Sequence, residues 1–124
     1  MSSPDFLLRP VGVVRSELHD RDLAPMQGDE GAPDAWIELR PEVLKAAAGL
    51  MPGNELLVLT WSHHADRSVL EVHPRSDPAR PLTGVFSTRS PDRPNPVGLH
   101  RVRVRAVEKG RVRVGPLEAI DGTP

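Results

Sequence analysis

The side chains best suited to chemistry gather between Gly84 and Leu99, in the run Gly-Val-Phe-Ser-Thr-Arg-Ser-Pro-Asp-Arg-Pro-Asn-Pro-Val-Gly-Leu. Arginine is a permanent cation whose planar fork of donors matches carboxylate and phosphate. Arg89 and Arg93 supply two such groups beside the amide of Asn95. Pro91, Pro94 and Pro96 each fix their own φ and remove a backbone donor. Each also pushes the residue before it (Ser90, Arg93, Asn95) away from helix. A stiff loop has little freedom left to lose on binding, so this one reads as a device that presents cations to an anionic ligand. Arg93 admits two readings, a ligand contact or a strut tied to backbone carbonyls or Asp92. Arg89 stands before the first proline of the run and reads more readily as a ligand contact.

Other chemistries have less support. Of the five histidines, His63 and His64 are adjacent, His73 lies ten residues beyond His63, and His19 and His100 are distant. Neighbouring strand residues point to opposite faces, so His63 and His64 do not easily share one ion. No HxH or HExxH spacing occurs, and no metal site is expected. A histidine at the end of a buried strand reads better as a hydrogen-bond partner. Ser62, Ser68, Ser87 and Ser90 lack the GxSxG context of an activated nucleophile. Neither GxGxxG nor GxxxxGKS is present, so nucleotide hydrolysis and dinucleotide redox chemistry have no sequence support. Near the C-terminal end, Asp121-Gly122 is a turn dipeptide.

The elements that must position these groups read as short strands. Phe6–Val14 is apolar and β-branched, Ala35–Leu39 alternates, Glu55–Trp61 is an apolar run suited to a buried strand, and Val69–Val72 is short. Thr83–Phe86 leads into the proline-rich loop. Gly98–Val107 is the clearest strand, with valine or alanine on one face and arginine on the other from Arg101 onward. Lys109-Gly110 then predicts a turn into Arg111–Val114 and hence a hairpin. Pro41–Leu50 is the single helix candidate, with Pro41 in the first turn and Gly49 near the end. Glu17–Asp34, punctuated by Pro25, Gly28, Gly31 and Pro33, reads as a long loop of the kind that carries function. The class is therefore mostly β, closing as a barrel or sandwich, with one short helix and long Pro/Gly-rich loops.

Composition sets the outer bounds. The 124 residues predict one domain spanning 1–124, and 38% hydrophobic residues with few aromatics predict an aliphatic core. There are no cysteines, which excludes disulfides and thiolate chemistry. No signal peptide or membrane span is evident, and a cytoplasmic location is expected. The formal charge of −1 excludes binding of a polyanion by bulk charge, although Arg101, Arg103, Arg105, Lys109, Arg111 and Arg113 form a candidate basic face.

The segment Thr88–Leu99, with its Arg-x-x-x-Arg-Pro-Asn-Pro-x-Gly core, resembles the signature of the TrmO family, also called TsaA-like or YaeB-like. Further segments agree in order. Val11–Ser16 resembles the opening strand, and Pro25-Met26-Gln27-Gly28 the Pro-Arg-Gln loop, with Met26 in place of the usual basic residue. Trp61-Ser62-His63-His64 resembles an aromatic-x-His strand end, and Ile120–Pro124 a Leu-Asp-Gly-Thr-Pro element. The chain stops at Pro124 where larger members continue, so the domain reads as C-terminally short. The resemblance implies a compact, single-sheet antiparallel β-barrel and a homodimer. It implies an S-adenosylmethionine-dependent methyltransferase acting at N6 of N6-threonylcarbamoyladenosine, at tRNA position 37. Cofactor contacts then map to Pro25, Met26, Gln27, His63, His64, Arg89, Leu99, Ile120, Asp121, Gly122 and Thr123. Arg89 suits a carboxylate or substrate anion, and Asp121 or a histidine is the candidate to manage the acceptor's proton. Two alternatives are a methyltransferase of this fold with another acceptor, and a non-catalytic S-adenosylmethionine-binding β domain.

Overall fold

The computed structural model describes residues 4–19 and 31–124. Its strands are β1 (Gly12–Arg15), β2 (Ala35–Leu39), β3 (Glu55–Trp61), β4 (Glu71–Val72), β5 (Thr83–Gly84), β6 (Val97–Glu108) and β7 (Arg111–Gly115). Five of them form one antiparallel sheet in the order β1-β2-β7-β6-β3, and β4 pairs with β5 beside it. The sheet curls into a half-barrel. Its concave side holds an aliphatic core of Val14, Ala35, Val102, Val104, Val112, Val114 and Leu117.

The alternation in β6 explains the layout. Val102 and Val104 point inward and are almost fully buried, while Arg101, Arg103 and Arg105 point to solvent. Removing valine from water stabilises the fold by about 1.5–3 kcal/mol per side chain, so a one-residue slip of register carries a large cost. On the other side of β6, β3 pairs so that Leu59 faces Leu99 and Thr60 faces Gly98.

The outer strands β1 and β3 are bridged by the last residues of the chain. Val14 N–H donates to Thr123 O (2.8 Å), Gly122 N–H to Val14 O (2.7 Å), and Trp61 N–H to the oxygen of Pro124 (2.9 Å). This segment satisfies backbone groups that a sheet edge would otherwise leave open.

Some elements differ from expectation. The strand expected over Phe6–Val14 shortens to β1 because Phe6, Leu7 and Leu8 lie exposed, with no strand pairing among the described residues. The helix expected over Pro41–Leu50 is a 3₁₀ helix over Pro41–Ala47, with no buried residue and no side-chain cap at Arg40. A segment that buries no apolar stripe gains little from a full α-helix. Glu55–Trp61 forms the expected strand, but only half of it is sheltered: Leu57 and Leu59 remain exposed. The loop Glu17–Asp34 falls mostly outside the described residues. No helix among the described residues is long and apolar enough to cross a membrane.

Candidate functional site

Within the loop Gly84–Leu99 the two arginines have different roles. Arg93 turns inward: its Nε donates to Ser90 O (2.7 Å), and its Nη2 to Thr88 O (2.6 Å) and Val85 O (2.9 Å). One guanidinium thus ties together three carbonyls of the loop, of which Val85 O also accepts from Thr88 N–H (3.1 Å) and Thr88 Oγ1 (2.9 Å). This is the strut reading of Arg93. Arg89 is exposed and has no hydrogen-bond or ion-pair partner among the described residues.

A second clasp, which sequence reasoning missed, holds the loop from outside. Arg67 Nε donates to Pro94 O (2.7 Å) and its Nη2 to Asn95 Oδ1 (3.3 Å), while its guanidinium carbon lies 5.1 Å from the Trp61 ring centroid. Asp66 N–H donates to Asp92 Oδ1 (2.8 Å). The amide oxygen of Asn95 is therefore engaged within the protein. Nothing local in the sequence marks Arg67, which lies 28 residues from Asn95.

Ile120–Thr123 makes a tight turn closed by Thr123, whose Oγ1 donates to Ile120 O (2.7 Å). Both Ile120 and Thr123 are buried. Gly122 sits at φ +85°, a left-handed conformation in which a Cβ would be strained. Asp121 holds the start of the β1–β2 connection. Its N–H donates to Leu18 O (2.6 Å), its Oδ1 accepts from Ser16 N–H (3.0 Å), and its Oδ2 lies 3.9 Å from both Arg15 Nη1 and His19 Nδ1. Pro25, Met26 and Gln27, expected on that connection, lie outside the described residues.

His63 and His64 follow β3 and are exposed, with ring centroids 4.0 Å apart. Desolvation, and then the neighbouring His64, hold the His63 pKa below the ordinary imidazole value. Leu99 is 66% exposed and lies on the outer face with Leu57, Leu59 and Val97. Ser62 N–H donates to Pro96 O (2.8 Å) and Trp61 N–H to Pro124, so the exit of β3, the entry of β6 and the C-terminal turn meet at one end of the sheet. Two shallow hollows, of about 250 and 210 Å³, lie elsewhere, one beside the 3₁₀ helix and one along Arg101–Arg105. Neither is lined by a residue of the expected cofactor set; the second is lined by Arg101, Arg103 and Arg105 of the arginine face. No group of three or more His, Asp or Glu among the described residues is arranged to hold a metal ion.

The arginine face of β6 and β7 is largely neutralised. Arg101 lies 3.0 Å from Glu55, Arg105 and Arg113 lie 3.6 and 3.4 Å from Asp34, and Arg111 lies 2.7 Å from Glu108. Arg111 also stacks on Trp36, 3.9 Å from its centroid, and Arg103 donates to Gly53 O (3.0 Å).

A curled antiparallel sheet, a proline-stiffened loop whose Arg89 has no partner among the described residues and an Ile-Asp-Gly-Thr turn at the same end define a β-sheet class distinct from doubly wound nucleotide-binding folds. The chain belongs to the tRNA-methyltransferase O N-terminal domain family, whose model matches residues 13–124. It is 46% identical over 125 residues to a Methanothermobacter thermautotrophicus protein named "Probable S-adenosyl-L-methionine-binding protein", covering 100% of this chain and 88% of the relative. It is 36% identical over 119 residues to an Archaeoglobus fulgidus S-adenosyl-L-methionine-binding protein, covering 96% and 84% of the two chains. The structure superimposes on crystalline TrmO from Pseudomonas aeruginosa with a TM-score of 0.76 at 28% identity, covering 99% of this chain and 53% of that one. The chain thus spans about half the length of the solved TrmO chains it matches.

Proposed function

We propose that this protein is an S-adenosylmethionine-dependent methyltransferase that methylates N6 of N6-threonylcarbamoyladenosine at position 37 of tRNA. The observation that carries the reading is Arg89: a cation on a braced loop, without a protein partner among the described residues, in a family of tRNA methyltransferases. The residues present suit the methyl donor. Arg89 can take its carboxylate, exposed Leu99 an apolar face, and Gly122 allows close approach of backbone. The bound donor supplies an electrophilic methyl group. The chain then has to hold the acceptor nitrogen in line and accept its proton. His63 and His64 are exposed after β3, and the family resemblance implies donor contacts from them and from Pro25, Met26 and Gln27. Asp121 Oδ2 is the group offered for the acceptor's proton, since Oδ1 is committed to Ser16. An Asp121→Asn variant that methylates at the wild-type rate would remove that role.

The exposed apolar face of Leu57, Leu59, Val97 and Leu99 supports a homodimer. Light scattering that shows a monomer would remove this part of the reading. The location proposed is cytoplasmic, with tRNA. The decisive experiment incubates purified protein with S-adenosylmethionine and tRNA carrying threonylcarbamoyladenosine, followed by nucleoside mass spectrometry. A methylated nucleoside is expected. Cofactor binding without it would favour the second reading, methyl transfer to another acceptor, which the neutralised arginine face supports.

A further inference from the structure

One buried polar chain interrupts the aliphatic interior. His100, 8% exposed, has Thr60 Oγ1 2.7 Å from its Nε2 and Glu118 Oε1 2.7 Å from its Nδ1. The carboxylate fixes a proton on Nδ1, so in the neutral ring Nε2 accepts from the Thr60 hydroxyl. Burying such groups costs free energy that apolar side chains of similar shape would not, so a stabilising role alone gives little reason for them. What the arrangement does supply is a single geometry, because any rotation of the ring breaks both bonds.

The main chain is pressed against this relay. A Cβ at Gly98 would lie 2.5 Å from Thr60 Oγ1 and 2.7 Å from His100 Nε2. Thr60 and Gly98 are paired across β3 and β6, and the Thr60 hydroxyl is buried, closed to any substrate. The relay therefore does not touch a reacting atom. Its three members belong to the three elements that run into the candidate site. Thr60 precedes the exit toward His63 and His64. His100 adjoins Leu99 and the loop that carries Arg89. Glu118 lies two residues before Ile120–Thr123.

We infer that Thr60–His100–Glu118 is a positioning relay that holds these three elements in register for the methyl donor, so that donor affinity depends on the Glu118–His100 bond. This rests on the reading that the chain binds S-adenosylmethionine. The test is calorimetric titration of S-adenosylmethionine into wild type, Glu118→Ala and Glu118→Gln, with melting temperatures measured alongside. Glu118→Ala is expected to bind about tenfold more weakly, the equivalent of one charge-assisted bond. Glu118→Gln is expected within about twofold of wild type, because its amide oxygen still accepts from Nδ1–H. In wild type, the His100 ring ¹⁵N resonances are expected to move on saturation with S-adenosylmethionine, a measurement that stands even if Glu118→Ala fails to fold. A folded Glu118→Ala with wild-type affinity and only a lowered melting temperature, or unmoved ring resonances, overturns the relay alone. Wild type that takes up no S-adenosylmethionine overturns both the relay and the reading it rests on.

Discussion

On the outer face of β6, Arg101 sits 3.0 Å from Glu55 and Arg105 sits 3.6 Å from Asp34, whereas Arg89, on the loop that feeds the same strand, meets no carboxylate among the described residues. The strand arginines outnumber those of the loop and are the more conspicuous in sequence. Yet a guanidinium with a carboxylate at hand presents little net field to a ligand, and exposed pairs of this kind are worth about 0–1 kcal/mol. On the proposed reading, what sets Arg89 apart is that no carboxylate among the described residues meets it, together with a backbone stiff enough to hold it. Arg93 provides that stiffness, and the proposed reading leaves the ligand contact to Arg89.

The contrast can be broken in four ways. The largest effect is expected for Arg93→Ala, which strands the carbonyls of Ser90 and Thr88 and leaves Val85 O to Thr88 alone. A loss of about 3 kcal/mol of unfolding free energy in urea is expected, and a loss below about 1 kcal/mol would return Arg93 to the ligand. Arg89→Ala should leave the urea midpoint in place and weaken S-adenosylmethionine binding by roughly 1.5–3 kcal/mol. Unchanged calorimetric affinity would make Arg89 an idle surface charge. Arg101→Ala and Arg105→Ala should each change stability by about 0.5 kcal/mol or less, with little change in tRNA retention on a filter. A several-fold loss of tRNA would restore the arginine face as an RNA surface.

The smallest effect concerns His63. Its folded pKa lies below 6.5, so below that pH the unfolded chain binds more protons than the folded one. Stability should therefore decline slightly as pH falls from 6.5 through the lowered folded value, and His63→Gln should flatten this part of the profile. A midpoint that rises on acidification over that window in wild type would reverse the sign.

The strands were legible where one face is buried and the other wet. In β6, valine and arginine alternate because the core takes every second residue. The Pro41–Leu50 segment carries helix-forming residues and a favourable first-turn proline, but nothing in the sequence says that no residue of Pro41–Ala47 is buried. The loop's composition disclosed its stiffness and left Arg93 open, because the choice depended on carbonyls placed by the fold. Arg67 and the Thr60–His100–Glu118 relay were not legible at all. Their partners lie 18 to 40 residues away, and no local spacing encodes such contacts.

The stacking of Arg67 on Trp61 has an optical consequence. The chain has two tryptophans and no tyrosine, so its near-ultraviolet emission comes from Trp36 and Trp61. Trp36 lies under Arg111, on the far side of the sheet from β3, and Trp61 lies at the edge of the braced loop. A Trp36→Phe protein would carry a single intrinsic fluorophore at that edge, so the arrival of a ligand could be followed in real time by the colour and lifetime of its light, without a label.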